Sequence, residues 1–159
     1  MTEKAGVTLR RKDAHEFTAW KEASVASYAE DLARSSGRPL SQALVKAAAD
    51  FDELLPDGAD SPGTWVMSVV SPDGTDIGVL WLGPHPQIPD RGYVYEIAID
   101  EPYRRRGYAR AAMAAAEEIA RSAGWTALGL NVFGFNEGAR RLYESIGYDI
   151  VATQMSKTL

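Results

Sequence analysis

At 159 residues, with 45% apolar and 25% charged side chains, the chain has the composition of an ordinary globular domain large enough to enclose a hydrophobic core. Its formal net charge of −5 argues against bulk nucleic-acid binding, which needs a positive field, and is compatible with a cationic substrate. With no cysteine there are no disulfides, thiolate metal sites or cysteine acyl-enzyme, and the distant His15 and His85 make no metal site expected. Met1-Thr2-Glu3-Lys4 has no apolar run behind it, so neither a signal peptide nor a membrane span is expected, and a cytoplasmic location is the default reading.

Val7 to Arg11 reads as a short strand. From Ala14 to Ser36 the chain reads as helix, with Phe17, Trp20, Tyr28 and Leu32 near helical spacing and Gly37-Arg38-Pro39 as its stop. A second helix from Leu40 to Leu55 is expected to place Leu40, Leu44, Ala47, Phe51 and Leu54 on one buried stripe. Thr64 to Val70 and Thr75 to Leu82 are β-rich runs joined by the hairpin signal Ser71-Pro72-Asp73-Gly74. The proline-rich loop from Gly83 to Asp90 separates them from a strand over Gly92 to Asp100, which Glu101-Pro102 ends. A helix follows from Ala109 to Ala123, with Met113, Ala116, Ile119, Ala120 and Ala123 on one face and Gly124 as its stop. Ala127 to Phe133 reads as strand, Asn136 to Ile146 as a short helix closed by Gly147, and Tyr148 to Met155 as a final strand. The order β-α-α-β-β-β-α-β-α-β predicts a mixed sheet with helices on its faces, an α/β (α+β) fold, in a single domain over residues 1–159.

The most informative stretch is Tyr93-Val94-Tyr95-Glu96-Ile97-Ala98-Ile99 running into Arg104-Arg105-Arg106-Gly107-Tyr108-Ala109. It is an apolar strand, a proline-broken turn, then a basic glycine loop opening into an alanine-rich helix. A helix N-terminus presents unpaired N–H groups and positive partial charge, so this is a ready phosphate cradle. Gly107 lets the backbone approach a pyrophosphate, and the arginines add charge at the rim.

A second motif, Asn136-x-x-Ala139-x-x-Leu142-Tyr143-Glu144 followed by Ile146-Gly147-Tyr148, stands downstream of the first. On these two motifs, their order and the elements that carry them, the chain resembles the GNAT superfamily of acyl-CoA-dependent N-acyltransferases. The resemblance covers the element order over nearly the whole chain and the motifs from Tyr93 to Gly147. It implies a mixed, mostly antiparallel sheet of about six to seven strands with about four helices. It implies acetyl-CoA (coenzyme A) as donor, with the fourth and fifth strands splayed around its pantetheine arm. Backbone groups of Ile97, Ala98 and Ile99 would then pair with that arm like an added strand. The loop Arg104, Arg105, Arg106, Gly107, Tyr108, Ala109 and Arg110 would wrap the pyrophosphate, Asn136 would hold the arm, and Tyr143 would point its hydroxyl at the sulfur. The acceptor would be a primary amine of a small molecule or peptide, and a homodimer is compatible with the fold.

Thioester aminolysis needs a neutral amine, an oriented carbonyl and a proton for the departing thiolate. A backbone N–H where the strand bulges near Ile97 can polarise the carbonyl oxygen, and a tyrosine in reach can protonate a thiolate and recover its proton readily. Glu96 is the candidate base, directly or through water; it could instead face solvent or hold a substrate ammonium, with bulk water as base. Some family members use a glutamate on the fifth strand, where this chain has Asn131, which cannot act as a base. Asn136 also reads as a helix N-cap. Arg140 and Arg141 either add charge at the cofactor edge or pair with Glu144 and Glu137 across helix turns. His15 and His85 read as surface residues, and Trp20, Tyr28, Trp65 and Trp81 as core, one or two of them lining an acceptor pocket. Two rival readings are a non-catalytic acyl-CoA-binding sensor or regulatory module, and a nucleic-acid module built on the arginine run.

Overall fold

The computed structural model describes residues 6–159, so the Met1–Lys4 reading lies outside the described residues. The elements are β1 (Thr8–Arg11), α1 (Ala14–Ser36), α2 (Leu40–Leu54), β2 (Trp65–Val70), β3 (Asp76–Pro84), β4 (Gly92–Ile99), α3 (Tyr108–Ser122), β5 (Leu128–Leu130) and α4 (Glu137–Ser145). The sheet has five strands in the order β1-β2-β3-β4-β5. Its pairs are antiparallel except β4 with β5, which is parallel.

Local chemistry sets the helix ends. Asp13 accepts from the Glu16 N–H at 2.8 Å while the Glu16 carboxylate accepts from the Asp13 N–H at 2.9 Å, a reciprocal cap that starts α1. Arg10 also grips Glu16, chiefly by its hydrogen bonds, holding that carboxyl at about 2. Gly37, at φ 68, ends the helix with a left-handed cap.

The predicted stripe on α2 is corrected. Leu40 and Leu44 are 48% and 39% exposed, whereas Ala43 and Ala47 are fully buried against Ala29 of α1. The two helices meet along small side chains, which turns the α2 leucines outward. Phe51 stays inside with Phe17, Trp20, Leu55, Val66 and Trp81, the core on one face of the sheet. On the other face Leu80, Leu82, Val94 and Ile99 pack against Ala112, Met113 and Ala116 of α3 and Tyr143 of α4.

The strand count is also corrected, to five. Tyr148 to Met155 forms no strand, and Ile150, Val151 and Met155 are exposed. Its alternating pattern is strand-like, but a strand needs an edge to pair with, and β5 offers only three residues. The predicted strand over Ala127–Phe133 shrinks to Leu128–Leu130 because its partner β4 pairs it only as far as Val94.

Gly92 sits where β4 and β5 are held together. A Cβ there would lie 2.2 Å from Trp125 Cε3 and 2.7 Å from Leu128 Cδ2. Gly92→Ala is therefore expected to destabilise the fold by about 1–3 kcal/mol through overpacking. A melting temperature several degrees lower is the readout; an unchanged one means the Trp125 ring has room to move.

Candidate active site

The site begins with a fork in the sheet. Pairing of β4 with β5 covers Gly92, Tyr93 and Val94 opposite Leu128, Gly129 and Leu130, and then stops. β4 continues to Ile99 paired only with β3. Backbone direction alternates along a strand, and the Asp100 N–H donates toward β3, to the Ile77 carbonyl at 2.8 Å. The N–H and C=O groups of Ile97 and Ile99 therefore point into the fork, while those of Ala98 are spent on β3 opposite Val79. The Ile99 carbonyl accepts from Arg104 Nε at 2.7 Å, which ties the end of the open edge to the next loop.

That loop is a run of free donors. No backbone N–H from Arg105 to Arg110 has an acceptor among the described residues, and the first helical bond runs from Ala111 to Gly107 at 3.1 Å. Arg105, at φ 61, and Gly107, at φ 82, are both left-handed and curl the chain so that these groups open α3. A curled run of N–H groups at a helix N-terminus attracts anionic oxygens. The Arg106 guanidinium lies 5.8 Å from the Tyr103 ring, and Arg110 Nη2 donates to Ser145 Oγ at 2.9 Å, clasping α3 to α4.

A bulge places the candidate base. Trp81 pairs with Glu96, but the next residue, Leu82, pairs with Val94, so Tyr95 is an extra residue in β4. Strict alternation from Val94 would aim Glu96 into the α3 core; the bulge turns it to the α1 face instead. There its carboxylate accepts from Trp20 Nε1 at 2.9 Å and Ser24 Oγ at 3.0 Å. Burial pushes its pKa above the ordinary carboxylate value, against the pull of the two donors and the Lys12 charge. The Trp81 indole N–H, cross-strand from Glu96, is buried with no partner among the described residues.

Around Glu96 the wall is aromatic. Tyr95 stacks on Trp81 at 4.6 Å and Tyr93 tilts against Tyr95 at 4.9 Å. Burial raises both phenols, Tyr95 to about 12, so they are neutral donors at physiological pH. On the opposite face of the sheet, Tyr143 is 9% exposed within the α3 core, and its ring meets Tyr148 edge-on at 6.1 Å. No protein group among the described residues hydrogen-bonds its hydroxyl, and burial raises its pKa above 10.0.

The acetyltransferase (GNAT) family model matches residues 17–148. The chain belongs to that family. It is 32% identical over 154 residues to the Bacillus subtilis (strain 168) protein named uncharacterized N-acetyltransferase YycN, covering 96% of this chain and 99% of that one. A second Bacillus subtilis (strain 168) relative, uncharacterized N-acetyltransferase YdgE, is 30% identical over 153 residues, covering 96% and 98%. The crystal structure of YycN superposes with a TM-score of 0.88 over 96% of this chain and 98% of that one. The aminoglycoside N-acetyltransferase AAC(6')-Iy, solved in complex with CoA, shares the fold at 13% identity, with a TM-score of 0.62 over 100% of this chain and 98% of that one.

Within this family fold, the sequence-predicted residues fall into three groups. Ile97 and the Ile99 N–H, unpaired with β5, and the free N–H groups from Arg105 to Arg110 lie on either side of a short bonded turn, and Arg104 caps the Ile99 carbonyl. Arg104, Arg106 and Arg110 have guanidiniums engaged at Ile99, Tyr103 and Ser145. Asn136 is the α4 N-cap, accepting from the Ala139 N–H at 3.3 Å, and Arg140 and Arg141 pair with Glu144 and Glu137 at 3.0 and 3.2 Å. The sequence reading missed Ser24 and the indole N–H of Trp20, because nothing local ties them to Glu96. His85, expected at the surface, is partly exposed there. Its Nδ1 accepts from the Gln87 and Ile88 N–H groups at 3.1 and 3.0 Å, and its ring packs on Tyr93, so it organises the proline loop.

Proposed function

We propose that this chain, as a single acetyltransferase domain over residues 1–159, moves an acetyl group from acetyl-CoA to a primary amine of a small molecule or peptide. The observation that carries this reading is the fork: an open β4 edge at Ile97 and Ile99 leading through a short bonded turn into the free N–H run from Arg105 to Arg110. The edge suits the amide groups of a pantetheine arm, paired as an added strand, and the N–H run suits a pyrophosphate. When bound, acetyl-CoA supplies the acetyl thioester.

The residues then divide the work of one displacement in a ternary complex. The amine nitrogen forms a bond to the carbonyl carbon as the carbon–sulfur bond breaks. Glu96 would take the proton the amine loses, Tyr143 would give its own to the departing sulfur, and the Ile97 N–H would be the donor to the oxygen on which charge develops. With no cysteine in the chain, there is no thiol to carry the acetyl group as an acyl-enzyme. Holding both substrates in one cleft supplies much of the remaining acceleration.

Calorimetric titration with acetyl-CoA, after stripping carried-over cofactor, tests the site. Micromolar binding is expected, weakened about tenfold or more by Gly107→Ala, because a side chain is strained at φ 82 and stands in the phosphate path. Release of free thiol with a panel of amines tests the reaction. Binding without thiol release from any amine would favour a non-catalytic acyl-CoA sensor, and no binding would remove acetyl-CoA as donor.

A further inference from the structure

Glu96 belongs to a strand, but its carboxylate is held by a helix. Trp20 and Ser24 stand four residues apart on α1, so one helical turn brings both donors over the same point of β4. Trp20 Nε1 lies 2.9 Å from Oε2, and Ser24 Oγ lies 3.0 Å from the same oxygen and 3.3 Å from Oε1. A serine hydroxyl has one proton to donate. Oε2 therefore takes the two short contacts, and Oε1 only the longer one that Ser24 shares between the two oxygens.

The indole is aimed by its packing. Its ring meets Phe17 at 5.3 Å, Trp81 at 5.4 Å and Phe51 at 5.8 Å, in contacts from α1, β3 and α2. These fix the plane in which Nε1 points. The charged and titratable neighbours of the carboxylate are few. Lys12, between β1 and α1, donates to Ser68 Oγ at 2.8 Å and favours the anion. Tyr95, next to Glu96 on β4, is a neutral phenol, and the residues facing it from β3 and α2, Trp81 and Phe51, do not titrate.

We propose that Trp20 and Ser24 are positioning residues for acetyl transfer: they pin Oε2 of Glu96 and leave Oε1 as the atom that takes the proton of the attacking amine. The amine's lone pair makes the new carbon–nitrogen bond, its N–H bond breaks with the electron pair staying on nitrogen, and an O–H bond forms at Oε1 directly or across one water. The Oε1 proton is then lost to solvent. This inference rests on the reading of Glu96 as base.

Ser24→Ala and Trp20→Phe test it, the second keeping a ring in the aromatic cluster while removing the N–H. The readout independent of turnover is a 13C NMR titration of the Glu96 carboxyl, assigned by its loss in Glu96→Gln. Both donors favour the anion, so removing either should raise the titration midpoint by about one pH unit. The rising limb of the rate against pH should move the same way, with kcat on that limb down about tenfold and the KM for acetyl-CoA unchanged. Ser24→Thr, which keeps the hydroxyl, should restore both. A midpoint unmoved in both variants overturns the hold on Oε2, even if Glu96→Gln shows that Glu96 is the base. A midpoint that moves while the rate limb stays put removes Glu96 as the base, and with it any part for Trp20 and Ser24 in the reaction.

Discussion

Replacing Tyr143 with phenylalanine is expected to cut turnover about a hundredfold while leaving acetyl-CoA affinity within about twofold. The ring is packed into the α3 core and phenylalanine refills that space, so only the hydroxyl is lost. No protein group among the described residues bonds that hydroxyl, so stability should change by less than about 1 kcal/mol. The hydroxyl's value lies in its proton. Burial raises its pKa above 10.0, so the phenol remains protonated at every pH where the amine chemistry is run. The falling limb of the rate, where the phenol ionises and can no longer donate, should accordingly lie above pH 10 and vanish in the variant. Steady-state kinetics with calorimetry of the same preparation separates the outcomes. Unchanged turnover would hand the thiolate's proton to water, and a parallel loss of affinity would make Tyr143 a packing residue of the cofactor cleft.

The parts of this site that were legible in the sequence are those written in consecutive residues. The end of α1 follows from Gly37, which is local chemistry, and the free N–H run follows from an arginine loop with Gly107 opening a helix. The pairing that stops at Val94 was expected only through the family resemblance, since no residue near Val94 encodes a fork. A bulge was expected near Ile97, but its place at Tyr95 was not, because an extra residue in one strand shows only against its partner's register. Leu40 and Leu44 misled because hydrophobic spacing says a stripe exists without saying which neighbour covers it; the alanines allowed the closer approach and took the buried positions. The final strand failed for a related reason, since alternation describes a strand and cannot supply an edge. The hold on Glu96 lay furthest out of reach, its donors being separated from it by 76 and 72 residues.

Glu96→Gln is expected to lower turnover about a hundredfold at neutral pH and to abolish the rise of rate with pH. A base works only when deprotonated, so the wild-type rate should climb through the Glu96 pKa, which burial has pushed above the ordinary 4.5. The same shift has a consequence for stability, of opposite sign to that of most buried carboxylates in ion pairs. An acid whose pKa is higher in the folded state binds its proton more tightly there, so folding is favoured at low pH. That advantage is fully present below the unfolded value of 4.5 and is lost as pH rises through the folded value. Glutamine carries no charge to desolvate, and its carbonyl oxygen can still accept from Trp20 and Ser24. The variant should therefore melt at the same or a higher temperature than wild type at pH 8, with the difference shrinking as pH falls toward 4.5. A less active and no less stable protein is what a carboxylate kept for its chemistry predicts, because its burial opposes folding at the pH where it works. Equal pH–rate profiles for the two proteins would return the base role to water. A variant less stable at pH 8 would instead make the ionised Glu96, with its two donors, a net structural contact between α1 and β4.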